Sequence, residues 1–443
     1  MHTSALDMTQ GSVMRGMIAF TIPALLSTLL QQVYSLTDNI IVGRVLGLEA
    51  LAAVGVTAPI ILLIGSLIFG VNNGVTVLLS QAYGSRDMPL MRKSFVNSLY
   101  LGLLVAGVMA VLGTFLPTPI LRWIGTPPGP LKEAATYVRI SFFTSFCPML
   151  YFLFFCAFRG MGDSTTALWC MIASVVSNIF LDLLFVAVFG WGVGGSAWAT
   201  AMAQFLAMLL AAVLLFVKYP EMRLRRGDWK PDTFSFRRIT GVAIPIALQS
   251  AFNNLGSIVA QSAVNIFEDV AMGAYTAAGR IGAFALIPLE TIGGTLSVHA
   301  GQNLGAGNHA RIREGVRAAL LLELFFSSVL GVLLFLFGRN LAALFLEEPP
   351  KEMLQISYDY LLITAVPGIL AGTMYVYQQV LRGLGKVKES MYGGFVQLGV
   401  KIAVIAVSAF TFRSLPMIWA AWPVSFAAGA VFVIFRYRKT ELA

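Results

Sequence analysis

Charge is scarce in this sequence: 12% of its 443 residues are Asp, Glu, Lys or Arg, about half the share found in a soluble globular chain. A water-facing surface of ordinary polarity is therefore excluded for most of its length. Histidine and cysteine are scarcer still, with three of each. His2, His299 and His309 are scattered and offer no His-Glu-x-x-His spacing. Cys147, Cys156 and Cys170 sit in or beside apolar runs without ligand spacing, so they read as small packing residues. No Gly-x-Ser-x-Gly elbow occurs, and "GLGKVKES" (383–390) lacks the Ser or Thr that a phosphate loop needs directly after its Lys. "GWGVGG" (190–195) reads as a tight turn. These absences argue against an enzyme and lead us to expect no cofactor.

What is abundant is hydrophobicity, at 58% of residues. A spanning helix needs about 20 mostly apolar residues, and twelve such runs can be read. They cover 18–42, 52–79, 94–116, 137–158, 164–189, 195–218, 239–266, 276–300, 312–337, 357–381, 390–413 and 416–435. The runs are continuously apolar rather than alternating, which excludes an outer-membrane barrel. The fold class expected is an all-α integral membrane protein with twelve transmembrane helices. The first run is too long for a cleaved signal and carries Asp38, so it reads as a span.

The formal net charge of +9 invites a nucleic-acid reading, and its placement argues against one. With alternate loops on opposite sides, 21 of the 30 Lys and Arg fall on the side of the N-terminus and 7 on the other, while Arg280 and Lys401 lie within spans. By the positive-inside rule both termini are expected in the cytoplasm. The partners expected are a lipid bilayer and small solutes, with no nucleic acid.

The chain contains itself twice. "SQAYGSRDMPLMRKS" (80–94) aligns with "GQNLGAGNHARIREG" (301–315), and "FRGMG" (158–162) answers "LRGLG" (381–385). Pro23 recurs as Pro245, and Trp198-Ala199 as Trp419-Ala420. The polar linker 218–238 separates the copies, giving an N-terminal six-helix lobe at 1–218, a cytoplasmic linker at 219–238 and a C-terminal six-helix lobe at 239–443. Six is an even number, so the two bundles form a parallel repeat, an arrangement that normally encloses a central cleft and opens it by alternating access.

Ionisable residues inside spans cost about 2.5 to 3.5 kcal/mol on insertion scales and mark functional sites by default. Gln31, Tyr34 and Asp38 fall on one face of the first span, and Asn178 and Asp182 on one face of the fifth. Burial disfavours an ionised carboxylate, so an acid in such a place can load a proton and release it when a cation approaches. Carboxylate, amide and hydroxyl oxygens also suit sodium. Competition between driving ion and cationic cargo is the core of an antiporter. Glu290 reads either as a second coupling site or as an ion-pair partner for Lys401. Glu323 is expected to snorkel or to meet Arg317, and Arg280 to lie near an interface or to be paired. Pro23, inside the first span about four turns before Asp38, permits a bend.

With "YSLTDNIIVGR" in the first span and "SQAYG" and "GQNLGAG" after the second and eighth, the sequence resembles the multidrug and toxic compound extrusion family over nearly its whole length. The resemblance implies a cation-coupled exporter of flat, cationic or amphiphilic compounds in the inner membrane of a prokaryote, and the chain is expected to act as a monomer. It is similar to the DNA-damage-inducible-type branch, which implies an ion site, for proton or sodium, at Asp38, Asn178, Asp182 and Thr200. In that likeness Gln31 and Tyr34 line the substrate pocket and Pro23 is the hinge. The fourth span, "YFLFFCAF", lacks an Asn that some members carry. The acidic pair of the family's other branch, on its seventh and tenth spans, has no counterpart, since Glu290 lies on the eighth. Two rival readings remain: a flippase for lipid-linked oligosaccharide or cell-wall precursor, which would call for more Arg and Lys inside the spans, and a membrane-embedded enzyme.

Overall fold

Backbone amides that leave water must be satisfied within the chain, and a single apolar segment can do that only as a helix. In the computed structural model, which describes residues 5–267, 269–344 and 350–440, the apolar runs are accordingly helical and no strand occurs among the described residues. His2 lies outside them. The first copy of the repeat folds into α1 (Val13–Leu46), α2 (Leu48–Gly84), α3 (Met88–Phe115), the short α4 (Pro117–Trp123), α5 (Pro128–Phe143), α6 (Phe146–Gly160), α7 (Ser164–Asp182) and α8 (Gly192–Lys218). The second forms α9 (Thr233–Val264), α10 (Asp269–Gly305), α11 (His309–Ala343), α12 (Lys351–Thr364), α13 (Gly368–Gly383), α14 (Val387–Val407) and α15 (Leu415–Arg438). Among the described residues ten helices are each long and apolar enough to cross a membrane, and the number is twelve when each of two bent pairs, α5 with α6 at 48° and α12 with α13 at 44°, is counted as one span. Large apolar side chains such as Leu104, Phe115, Leu321 and Phe335 are exposed along these helices, a surface that suits lipid rather than water.

The duplication extends to local backbone detail. Both bent pairs occupy the same place in their repeat, and α7 and α14 both pass into π-helical turns, at Leu183–Val188 and Ser408–Phe412. The repeated Arg-Gly-x-Gly has a steric cause. A side chain at Gly160 would meet the Thr76 carbonyl oxygen at 3.1 Å, and one at Gly383 would collide with the Ser297 carbonyl oxygen. Two residues later Gly162 and Gly385 take φ of 89° and 75°, a left-handed conformation that glycine adopts without a Cβ penalty.

Compact units and sequence repeats are not the same division. One unit comprises the chain through Asp7 together with Ile22–Leu248; the other comprises Met8–Thr21 and the chain from Gln249 onward. Segment 219–238, read as a linker, packs within the first unit, where Arg92 Nε donates to Asp228 Oδ2 at 2.9 Å and Arg92 Nη1 to the Glu221 carbonyl at 2.9 Å. The first half of α9 also belongs there. Gly70 and Gly74 of α2, one turn apart, press against Ala247 and Ala243 of α9, the small-on-small contact that lets membrane helices approach closely. In the second unit, Met17 at the start of α1 is fully buried beside Ile292 and Leu296, and Thr21 Oγ1 donates to Thr295 Oγ1 at 2.9 Å. The changes of unit fall beside Pro23 in α1 and shortly after Pro245 in α9.

Within the first unit, Cys156 and Cys170 belong to an aromatic-rich core with Phe95, Tyr151, Phe158 and Leu215. The α7–α8 pair is clamped at one end by Asp163, the N-cap of α7. Its carboxylate accepts from the Thr166 amide at 3.0 Å, Lys218 Nζ at 2.6 Å and the Tyr219 hydroxyl at 2.7 Å. Burial alone would penalise the charged carboxylate, but these donors outweigh it and hold Asp163 below the usual carboxylate range. Asp163→Ala should therefore lower thermal stability by about 1 to 2 kcal/mol, the usual loss for an N-cap with an added partner, as measured by melting of the purified protein. The sign with pH follows from a depressed folded value: the contribution is complete above the unfolded value near 4 and fades as pH falls through the lower folded one.

Candidate functional site

In the first unit the structure brings together residues from α1, α5, α7 and α8. Asp38 is 8% exposed, and Asn178 and Asp182 are fully buried. Asp38 Oδ1 accepts a 2.6 Å hydrogen bond from Ser196 Oγ, and Asn178 Nδ2 reaches Thr200 Oγ1 at 3.5 Å. Each aspartate lies within the other's electrostatic reach, and Tyr34 and Tyr137 feel both. Tyr34 also borders Thr200. Four oxygen atoms on three side chains of this cluster lack full satisfaction: the Tyr34 hydroxyl, Asn178 Oδ1 and both carboxylate oxygens of Asp182 make no well-aligned hydrogen bond among the described residues, although Tyr34 neighbours Thr200 and Asp182 neighbours Asp38 and Asn178. Unpaired buried acceptors of this kind cost about 1 to 3 kcal/mol each, a deficit that a proton or a small cation would relieve. At Asp182 α7 passes into its π-helical turns, a backbone irregularity frequent at functional sites.

Gln31 stays outside this group, exposed and without a hydrogen bond to any of its members. Pro23 sits inside α1, whose helix continues through it. The sequence reading had missed Ser196 and Tyr137. Ser196 could have been found, since it precedes Thr200 by four residues on one face of α8. Tyr137 had no distinguishing spacing.

Of the two readings of Glu290 in the second unit, the pairing with Lys401 does not form among the described residues. Glu290, on α10, has Tyr375 and Arg382 of α13 as its electrostatic neighbours. Lys401, on α14, lies 4.0 Å from the ring centroid of Trp422 on α15. The reason is helix pairing: α10 packs on α13, and α14 on α15. Glu323 neither snorkels nor meets Arg317. It is fully buried against Gly372 with both carboxylate oxygens unpartnered, and Arg317, six residues earlier, points to another face of α11. Arg382, which the sequence showed only as part of a repeat, is buried and donates to Ser390 Oγ at 3.1 Å and Gln249 Oε1 at 2.5 Å.

Comparison with known proteins agrees with this architecture. The sequence model of the MatE family matches residues 23–184 and again 245–407. A probable multidrug resistance protein of Bacillus subtilis, YoeA, is 30% identical over 436 residues, covering 96% of this chain and 94% of that protein. A protein of Shewanella oneidensis named as an FAD transporter is 26% identical, covering 85% of this chain and 84% of that one. Among solved structures, a MATE crystal structure in the straight conformation superposes with a TM-score of 0.91 at 21% identity, covering 100% of this chain and 99% of that one. The double match reproduces the internal repeat, and the twelve spans agree with the fold of the superposed transporter: this chain is a multi-pass membrane protein of the multidrug and toxic compound extrusion (MatE) family.

Proposed function

We propose that this chain is a secondary active exporter in the cytoplasmic membrane of a prokaryote, with both termini in the cytoplasm, exchanging organic cations or amphiphiles for protons or sodium in the manner of the DNA-damage-inducible-type branch. The observation that carries the reading is the pairing of Asp38 with Asp182 in a buried cluster whose acceptors are not all satisfied. Two neighbouring carboxylates away from water cannot both hold an uncompensated charge, so the pair takes up a proton, a sodium ion or a cationic cargo. Asn178, Thr200 and Tyr34 supply the neutral oxygens around the ion. Because occupancy by one cation excludes another, loading the driving ion releases cargo, and the reverse. Pro23 gives α1 a bending point where the helix leaves one compact unit for the other, so that a change of charge at Asp38 alters the course of α1.

The test is transport by the purified protein in liposomes of a fluorescent organic cation, under an imposed pH gradient and then a sodium gradient. Movement of the dye against its gradient in one of the two supports the reading and identifies the ion. No response to either would overturn it.

A further inference from the structure

The second unit holds a cavity of about 460 Å³, within the range of small-molecule sites, and its chemistry is the opposite of the aspartate cluster in the first. Four aromatic residues, Tyr275, Tyr360, Trp422 and Phe426, stand in its lining among small and aliphatic ones. The rings brace one another, with Tyr275 stacked on Trp419 at 5.5 Å and 1°, and Tyr360 edge-on to both Tyr275 at 5.6 Å and Trp422 at 5.8 Å. Among the described residues no carboxylate lines the cavity, and the one charged side chain is Arg280. Among the described residues no ion pair involves Arg280. A second cation, Lys401, lies against Trp422, also without an acid partner. Two acids of the unit's spans are turned elsewhere, Glu290 toward Arg382 and the buried Glu323 onto Gly372.

Arg280 is exposed and has no ion-pair partner among the described residues, so its guanidinium is available to an anion. Aromatic side chains in the lining favour an aromatic partner, offset or edge-on to them. A guanidinium presents a fork that matches carboxylate, sulfonate or phosphate oxygens. We propose that this cavity is a binding site for flat aromatic anions, with the ring system against Tyr275, Tyr360 and Trp422 and the anionic group on Arg280. Gln261 and Thr276 stand in the same wall as neutral polar groups, Gln261 Nε2 donating to Asn265 Oδ1 and Thr276 Oγ1 to the Met272 carbonyl, each at 2.9 Å. The proposal does not rest on cation antiport, whose ion chemistry lies in the other unit.

The test is equilibrium binding by calorimetry on the detergent-solubilised full chain, with no ion gradient, using naphthalene-2-sulfonate, neutral naphthalene-2-methanol and cationic naphthalene-2-methylammonium. The sulfonate should bind about tenfold more tightly than the alcohol, and the ammonium most weakly. Arg280→Gln should bring the sulfonate down to the level of the alcohol, Arg280→Lys should keep the anion preference, and Trp422→Leu should weaken sulfonate and alcohol in parallel. Thr276→Asp, one turn from Arg280 on the same face, provides a second way to cancel the charge should Arg280→Gln not fold, and should also abolish the preference. Wild-type protein that binds the ammonium as tightly as the sulfonate would overturn the proposal, as would an anion preference that survives Arg280→Gln or Thr276→Asp. Because no gradient is applied, a failure of coupled transport leaves this result untouched, and a failure here leaves the antiport reading to its own test.

Discussion

Asp182→Asn is expected to abolish ion-driven dye transport, lowering the coupled rate by about tenfold or more, the scale of a typical coupling free energy between sites. Asp38→Asn should do the same. Both substitutions keep the shape of the side chain and remove only its capacity for charge, and each can be accommodated where it stands. Asparagine at 38 keeps an oxygen for the Ser196 hydroxyl, which donates there at 2.6 Å. Asparagine at 182 brings an amide donor to a place where Asn178 Oδ1 lacks a partner. Yield and melting temperature should therefore stay near wild type while coupling disappears. The double variant should be no worse than either single one, because two groups that share one ion act as a unit and their losses do not add. Wild-type coupling in both single variants, measured in the same liposomes, would remove this pair from the mechanism and leave Glu290 as the next candidate.

How much of this was readable beforehand depended on whether a signal was local. Twelve spans were readable because insertion in a bilayer demands long apolar runs, which survive in sequence as composition. The breaks inside two of them were not. The span read at 137–158 runs through the turn at Thr144–Ser145, and the one read at 357–381 through Thr364–Gly368. Apolar residues continue across both turns, so hydropathy is blind to them; Pro148 and Pro367 were the only local hints. Asp38, Asn178 and Asp182 stood out because polar atoms in an apolar run are rare and expensive. Ser196 did not, since serine is ordinary in such helices. The partners of Glu290, Lys401 and Glu323 were beyond reach, because they depend on which helices pack together and on how each is rotated, and neither is a property of one segment. The same holds for the assignment of Met8–Thr21 to the second unit, which rests on tertiary contacts of Met17 and Thr21.

Arg382→Ala is expected to destabilise the protein by about 3 kcal/mol or more, since it removes two hydrogen bonds from a charged donor and leaves buried acceptors behind. Arg382 links four helices: it sits on α13, holds Gln249 of α9 at 2.5 Å and Ser390 of α14 at 3.1 Å, and faces Glu290 on α10. Lysine should not rescue it, because one ammonium on a flexible stem cannot reproduce a planar fork that serves partners on two helices. Arg159, its counterpart in the first repeat, gives the control. The same Arg-Gly-x-Gly motif carries it, and its guanidinium lies 5.9 Å from the Phe155 ring centroid, but its Nε is buried without a partner. Arg159→Ala should accordingly cost much less, about 1 kcal/mol or below, the scale of a weak cation–aromatic contact. Melting curves of the two alanine variants and of Arg382→Lys in one detergent decide the matter. Equal losses at 159 and 382 would mean that the motif's arginine acts through something common to both repeats, and not through the Gln249 and Ser390 contacts that only the second repeat forms.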